Sequence, residues 1–521
     1  MDECFHVRTQ WRGLEVTDYL DCSGGRPMQR AGRTDLVRVI EGSGRVRVEF
    51  APRLDFGRQP TRLRVHPEGV EVEDTPDPIV LRSPGVEWTL LDEGAHQTAV
   101  AEIEVDGGPI VLELRYGSGS LGPTVVSESQ RRRQTERYWR DWAEGLELPH
   151  MDEALLRRSA LVLRGLVYGP TGAIAAAGTT SLPETIGGVR NWDYRYCWPR
   201  DASMSAATLV RVGSNAEAMR LLDWLLTIVD TLASPDRLQP IYTVTGQELG
   251  SEAEISELSG YRGSRPVRVG NAASRQLQLD VFGPVVDLVH ALAQAGAPLS
   301  GEHWRLVESA VTAVQRRWEE PDHGIWEVRG PRRHYTHSKA MCWLAVDRGI
   351  KVAEQLLGRE RSDWIGLRDH IARDVLERGF RSDLNAYTMA YGEHQLDAGT
   401  LLMGTIGLIE PHDPRFVGTV EAIEHSLREG PTVYRYRTDD GLPGDEGGFH
   451  ICTGWLIEAY AACGRMDDAR ALYRELVGLA GPTGLYSEEW MPGEELALGN
   501  HPQAYSHLAL LNAAICLDAS G

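Results

Sequence analysis

From about residue 150 to the end of the chain, apolar side chains recur with a helical period, and the connections between helical segments alternate between short and long. Twelve segments are predicted, near 153–168, 201–212, 215–233, 275–295, 302–319, 337–357, 361–379, 397–408, 413–429, 448–464, 466–480 and 502–518. Turns as short as Val212-Gly213-Ser214-Asn215 and Cys463-Gly464-Arg465-Met466-Asp467 join the second segment to the third and the tenth to the eleventh. Long loops lead into every even-numbered segment. Short turns make consecutive helices antiparallel, so hairpins packed side by side bring all the even helices to start at one end. Six such hairpins predict a mainly α fold closed into a double ring, an (α/α)6 toroid, with function on the rim where the long loops gather.

Residues 1–126 have a different texture. Short β-rich runs (Phe5 to Trp11, Leu14 to Leu20, Leu36 to Ile40, Val46 to Phe50, Gly69 to Val72, Val86 to Leu91, Thr98 to Val105 and Ile110 to Tyr116) are separated by Gly, Pro and Asp turns. This spacing predicts an antiparallel β-sandwich domain. Residues 127–149 read as a polar helical linker, with Arg131-Arg132-Arg133 as a solvated helix face, and residues 150–521 form the helical domain.

The chain has 521 residues, 42% of them apolar and 25% charged, which suits a soluble globular protein of at least two domains. No apolar run approaches the roughly 18 residues of a membrane span, and Met1-Asp2-Glu3-Cys4-Phe5-His6 does not begin a signal peptide, so the expected location is cytoplasmic. Seven cysteines without paired spacing, and no Asn-x-Ser/Thr sequon, agree with reduced thiols. A net charge of −21 argues against nucleic acid as a partner, and no membrane partner is expected. A homo-oligomer is compatible with the composition.

The loop before the second helix carries Asn191-Trp192-Asp193-Tyr194-Arg195-Tyr196-Cys197-Trp198-Pro199-Arg200-Asp201. Aromatic faces stack on the C–H faces of a sugar ring, while an arginine donates to hydroxyls and a carboxylate accepts from them. The run therefore points to a carbohydrate site. Trp192 and Tyr196 also read as core aromatics, the commoner fate of such side chains. The other long loops are loaded in the same way: Gln276, Gln278 and Asp280; His323 through Arg329; Tyr391 and Asp397; Gly444-Asp445-Glu446-Gly447-Gly448; and Tyr486-Ser487-Glu488-Glu489-Trp490.

Competing motifs are weak. Gly117-Ser118-Gly119-Ser120-Leu121-Gly122 matches GxGxxG, but Pro123 and a β-rich run follow where a dinucleotide fold needs a helix. His334 and His337 lack any HExxH or cysteine-pair context, so no metal is expected, and no cofactor is implied.

Several stretches together resemble family 15 glycoside hydrolases, which include glucoamylases, glucodextranases and a group of bacterial trehalases. They are Ser181-Leu182-Pro183-Glu184 through Arg200-Asp201; Ile325-Trp326-Glu327 with His334-Tyr335-Thr336-His337-Ser338-Lys339; and Tyr486-Ser487-Glu488-Glu489 with His501-Pro502-Gln503-Ala504-Tyr505-Ser506-His507. The resemblance runs in order over residues 150–521. It implies an inverting, exo-acting α-glucoside hydrolase that releases β-glucose from nonreducing ends. In this reading Glu327 is the general acid and Glu488 the general base, with the two carboxyls roughly 6.5–9.5 Å apart to hold a water. Ile325 and Trp326 would keep the acid protonated by limiting hydration of its charged form. Arg200 and Asp201 would grip the far side of the terminal glucose, Tyr194 would lie under the reacting ring, and Trp198 would form an aromatic wall. Gln278, Trp326, Glu446 and Glu489 complete the expected binding set. Glu489 stands as an alternative base, and Glu446 as a binding or a loop-supporting residue.

Two other functions fit the same plan: an inverting disaccharide phosphorylase, which would depend on phosphate, and a noncatalytic glycan-binding protein, which would lack one carboxylate of the pair. Bacterial relatives usually carry a further segment ahead of the region corresponding to Thr9 through Arg33, so the sandwich is expected to be short, with unpaired edges. Trehalose, maltose, isomaltose and longer glucans all present a nonreducing α-glucosyl unit. Loops such as Glu248 to Arg268 would discriminate among them.

Overall fold

The structure is a computed structural model and describes residues 4–25, 33–438 and 440–519. It divides into two units, Met1–Gly145 and Leu146–Gly521.

Among the described residues the first unit holds ten strands: β1 (His6–Trp11), β2 (Leu14–Leu20), β3 (Thr34–Gly42), β4 (Gly44–Phe50), β5 (Leu63–His66), β6 (Gly69–Val72), β7 (Ile79–Arg82), β8 (Thr89–Asp92), β9 (Gln97–Val105) and β10 (Ile110–Tyr116). They form a seven-stranded sheet in the order β1-β2-β3-β10-β7-β6-β5 and a three-stranded sheet in the order β4-β9-β8, with every pairing antiparallel. Alternation along β9 shows why they face each other: Ala99, Ala101, Ile103 and Val105 are buried while Glu102 and Glu104 point out. The strands β5 and β7 lie outside the runs predicted from sequence.

Helix α1 (Glu128–Glu144) also belongs to this unit. It covers the outer face of the larger sheet through Thr135, whose hydroxyl accepts from the Cys22 amide at 3.0 Å, and Trp139, which meets Phe5 edge-on at 4.7 Å. The expected solvated face is corrected at Arg131, which is buried and paired with Asp21 at 3.1 Å and with Glu113. This cation bridges the two buried carboxylates, one of which, Glu113, also pairs with Arg115 at 2.6 Å.

The second unit contains the twelve expected helices: α2 (Glu153–Gly165), α3 (Pro199–Arg211), α4 (Asn215–Val229), α5 (Phe282–Gln294), α6 (Gly301–Arg317), α7 (Thr336–Leu357), α8 (Ser362–Arg378), α9 (Leu402–Thr405), α10 (Pro414–Leu427), α11 (His450–Ala462), α12 (Met466–Gly478) and α13 (Ala504–Ala519). Helices α3, α5, α7, α9, α11 and α13 touch in that order, and α13 closes back on α3. The remaining six pack outside them, so the unit is an (α/α)6 toroid. Sequence explains which helix goes where. Inner helices such as α11 (HICTGWLIEAYAA) are apolar on nearly every face, whereas outer ones such as α12 (MDDARALYRELVG) carry one apolar stripe. Glycine lets the inner ring close: a Cβ on Gly454 would lie 2.8 Å from the Ala509 methyl, and one on Gly283 would lie 2.6 Å from the Met341 carbonyl.

Two boundaries differ from expectation. The fourth helix starts at Phe282 instead of near 275, because two 3-10 turns, Ala272–Arg275 and Leu279–Val281, precede it. The eighth shrinks to a 3-10 turn, Ala398–Leu401, followed by the single turn of α9. Among the described residues no helix is long and apolar enough to cross a membrane.

Candidate active site

All six inner helices begin after a long loop, and five of these loops line one cavity. It encloses about 800 Å³ of non-atom space, part of it open to solvent. Tyr194, Trp198, Arg200 and Asp201 come from the loop and first turn of α3, Trp326 and Glu327 from the loop before α7, Arg435 and Phe449 from the segment before α11, and Glu488 and Tyr505 from either side of the start of α13. Asn271 and Ala273 represent the loop before α5. The loop before α9 reaches the site indirectly, through Asp397, which accepts from the Trp326 indole at 2.8 Å. Tyr391 instead bonds Asp374 and stacks on His334.

Glu327 occupies the left-handed region at φ 59°, a costly conformation for a side chain of this size and one that clusters at functional sites. Its Oε1 accepts from the Trp198 indole at 2.8 Å and from the Gln278 amide at 3.2 Å. With both donors on Oε1, the proton of the neutral acid belongs on Oε2. Burial raises this carboxyl above its ordinary pKa, against the opposing pull of Arg200 and the two hydrogen bonds. Trp326, itself buried, helps to exclude water.

Arg200 is buried and almost fully engaged. It donates to Asp201 at 2.8 Å, to the Tyr505 hydroxyl at 3.0 Å, to Gln278 at 2.9 Å and to Asp280 at 3.1 Å. Tyr505 in turn donates to Asp201 Oδ1 at 2.6 Å. Among the described residues neither Arg200 Nη2 nor Asp201 Oδ2 has a partner, which leaves one donor and one acceptor on residues of the cavity lining.

The wall around Glu488 is built differently. Glu184, Glu488 and Glu489 bring carboxylate oxygens within 4.8 Å of one another, and each has one buried oxygen without a hydrogen-bond partner. Burial is the main reason their pKa values rise, and repulsion adds to it, from Glu446 on Glu184, from Glu184 on Glu488, and from Glu184, Glu446 and Glu488 on Glu489. Glu184 is pushed up to about 7, and Glu488 and Glu489 well above the ordinary range, with Arg435 opposing the rise in all three. Glu488 and Glu184 line the cavity, whereas Glu489 does not. Strand alternation separates the neighbours: Glu489 opens the strand Glu489–Met491, is fully buried and accepts from the Gly447 amide at 2.7 Å.

Of the residues expected to bind substrate, Tyr194, Trp198, Arg200, Asp201 and Trp326 line the cavity. Gln278 stands behind it, bridging Arg200 and Glu327. Glu446 also lies outside the lining, where Arg435 holds it at 2.7 and 2.6 Å and Arg190 at 3.2 Å. Its place is thus that of a support for Arg435. Of the two aromatics read as core, Tyr196 packs against the buried cluster of Ala176, Trp198, Ile241 and Ala273, whereas Trp192 lines the cavity between Arg268 and Arg329, each 4.7 Å from its ring centre. The sequence reading overlooked Glu184, Arg435, Gln503 and Tyr505 as lining residues. Glu184, Gln503 and Tyr505 fall inside motifs already singled out, while Arg435 in Tyr434-Arg435-Tyr436-Arg437 carries no pattern that distinguishes it from a surface arginine.

Fold and site together define the class: an (α/α)6 toroid whose rim holds a pocket lined by carboxyls, aromatics and arginine. Residues 151–515 match the family model "Glycosyl hydrolases family 15", and residues 1–139 match "Trehalase-like, N-terminal". The chain belongs to glycosyl hydrolase family 15. It is 41% identical over 419 residues to a trehalase of Mycobacterium tuberculosis, a match spanning 79% of this chain and 61% of that protein. It is also 36% identical over 508 residues to a trehalase of Thermoplasma acidophilum, covering 97% of this chain and 86% of that one. Among solved structures, a bacterial glucoamylase complexed with acarbose shares the fold, with a TM-score of 0.74, 14% identity, and coverage of 99% of this chain and 85% of that one.

Proposed function

We propose that the protein hydrolyses α-glucosides from the nonreducing end with inversion of configuration, and that trehalose is its substrate. The observation that carries the reading is the pair Glu327 and Glu488, which line one cavity in contrasting surroundings. Glu327 has hydrogen-bond donors on one oxygen and the other oxygen left for a proton, as an acid delivering to a departing glycosidic oxygen requires. Glu488 sits beside two carboxyls and Arg435. Arg435, shared with Glu446, opposes the rise in the Glu488 pKa, and in its ionised form that carboxylate activates water on the opposite ring face. Arg200 and Asp201 grip two neighbouring hydroxyls of the terminal glucose, and Trp198 and Tyr194 border its ring. Gln278 holds Arg200 and Glu327, Glu446 holds Arg435, and Glu489 stands behind Glu488 on the Gly447 amide.

Trehalose is favoured over maltose and longer glucans by the similarity to trehalases along nearly the whole chain and by the trehalase-like N-terminal model. Buried thiols such as Cys197, Cys342 and Cys452 support a reducing, cytoplasmic setting. The test is a panel of trehalose, maltose and isomaltose with NMR detection of the first products. Inversion at one anomeric carbon of trehalose releases equal amounts of β- and α-glucose, because the departing glucose keeps its α-configured C1–O bond. An initial burst of α-glucose alone would overturn inversion, and maltose turned over faster than trehalose would overturn the substrate.

A further inference from the structure

The sugar cavity has a closed end and an open one. Arg200 and Asp201 are only 4% and 8% exposed, whereas the Arg329 side chain, on the same lining, keeps 33% of its surface open. Arg329 follows the candidate acid by two residues, and its guanidinium is held by two partners. It lies 4.7 Å from the centre of the Trp192 ring and donates to both carboxylate oxygens of Glu252, at 3.3 and 2.9 Å. Glu252 stands just ahead of a hairpin of strands Ala253–Ile255 and Val267–Val269, and it also accepts from the Ala272 amide at 3.1 Å. One carboxylate thereby ties the hairpin to the acid loop.

Two arginines share the Trp192 indole, but they differ in what they have left to give. Arg268 is buried outside the cavity lining and donates to the Val189 and Asn191 carbonyls at 2.6 and 3.3 Å. Arg329 spends two of its five N–H donors on Glu252 and makes no other hydrogen bond among the described residues.

A general acid stands at the bond that breaks. With the terminal glucose gripped at the closed end by Arg200 and Asp201, the departing ring lies toward the opening, where Arg329 has donors to spare. A guanidinium already fixed on an indole and a carboxylate loses little freedom when hydroxyls of a second ring reach it, which favours binding. We infer that Arg329 binds the departing glucose and so determines whether a second sugar ring is recognised, with Trp192 and Glu252 as the positioning residues that set its plane. The inference deepens the proposed α-glucoside hydrolysis and rests on Glu327 acting as the acid.

Two substrates with the same terminal glucose isolate recognition of the departing ring: trehalose carries a second ring, and α-glucosyl fluoride carries fluoride in its place. Arg329→Met should lower kcat/KM on trehalose roughly 10- to 100-fold, seen in KM, the range for losing hydrogen bonds from a charged donor, and leave the fluoride within about twofold. Arg329→Lys, which keeps the charge and loses the planar fork, should fall between parent and Arg329→Met. Glu252→Gln, which loosens the fork, should show the same split at smaller size. The alkaline limb of the trehalose pH profile should stay in place in all three variants, because the acid keeps its surroundings. Equal losses on both substrates, a limb that moves with the substitution, or an unchanged trehalose value each overturn the inference. Turnover of the fluoride without turnover of trehalose fails the substrate reading alone, and maltose then takes the place of trehalose in the comparison. If no α-glucoside is turned over, the hydrolase reading fails, and calorimetry of parent and Arg329→Met with trehalose and with the single-ring 1-deoxynojirimycin still reads the second-ring contact. Weakened trehalose binding beside unchanged binding of the single ring supports it, and parallel changes or no trehalose binding overturn it.

Discussion

The two walls of the pocket hold carboxyls in contrasting ways. On the Glu327 side, Arg200, Asp201, Gln278, Asp280 and Tyr505 form a hydrogen-bonded network in which charges alternate, with Asp280 Oδ1 buried without a hydrogen-bond partner and Arg200 Nη2 and Asp201 Oδ2 left unpaired at the cavity. On the Glu488 side, three acidic side chains crowd together, three of their oxygens lack hydrogen-bond partners, and the cations beside them, Arg435 and Arg190, are both shared with Glu446. Alternating charges joined by hydrogen bonds fix the geometry of the first wall. Crowded carboxyls make the charge on any one member of the second depend on the others.

The sharpest test of this contrast removes one carboxyl from each wall. Glu327→Gln and Glu488→Gln should each lower kcat by roughly 10² to 10⁴ at unchanged fold, the range for losing one proton-transfer group. Turnover within tenfold of the parent in either variant would remove that residue from the chemistry. Next in size, Arg200→Met should destabilise the protein by about 3–5 kcal/mol in denaturant unfolding, because Asp201 and Asp280 stay buried without their cation.

Glu184→Gln should have the opposite sign. The folded protein holds the Glu184 proton up to about pH 7, whereas the unfolded chain releases it near the ordinary value of 4.5. Stability is therefore full below the unfolded value and is lost as pH rises through that window. The substitution should raise the thermal midpoint at pH 8 relative to pH 5 and flatten the slope between them. It should also shift the acidic limb of kcat/KM to lower pH, since Glu488 loses a repelling neighbour. A parental slope would show that Glu184 is ionised throughout. The smallest effect is expected from Trp198→Phe, which deletes one donor to Glu327 Oε1. Losing a hydrogen bond that favours the charged form should move the alkaline limb upward, with a cost of about 1 kcal/mol in kcat/KM. An unmoved limb would mean the indole serves only as a wall.

Much of this architecture was legible in the chain. The inner and outer helices differ in how far apolar residues wrap around them, and the loop lengths place the starts of the inner helices together. Departures occur where local signals compete. α9 is cut short by Gly399, Gly404 and Gly407, and the approach to α5 tightens into 3-10 turns ahead of Phe282. Arg131 belongs to a basic triplet that looks solvated in sequence, yet it is the residue that faces Asp21 and Glu113 across the sheet.

Sequence alone determined the ring of six hairpins, the sandwich ahead of it, and the motifs that carry Glu327 and Glu488, because periodicity, turn chemistry and motif order are properties of neighbouring residues. Tertiary structure alone decided that Glu488 and not Glu489 lines the cavity, that Glu446 serves Arg435, that Trp192 leaves the core, and that Glu184 crowds Glu488 from some three hundred residues away. Electrostatic interaction depends on distance through space and on burial, and closing the ring is what sets both.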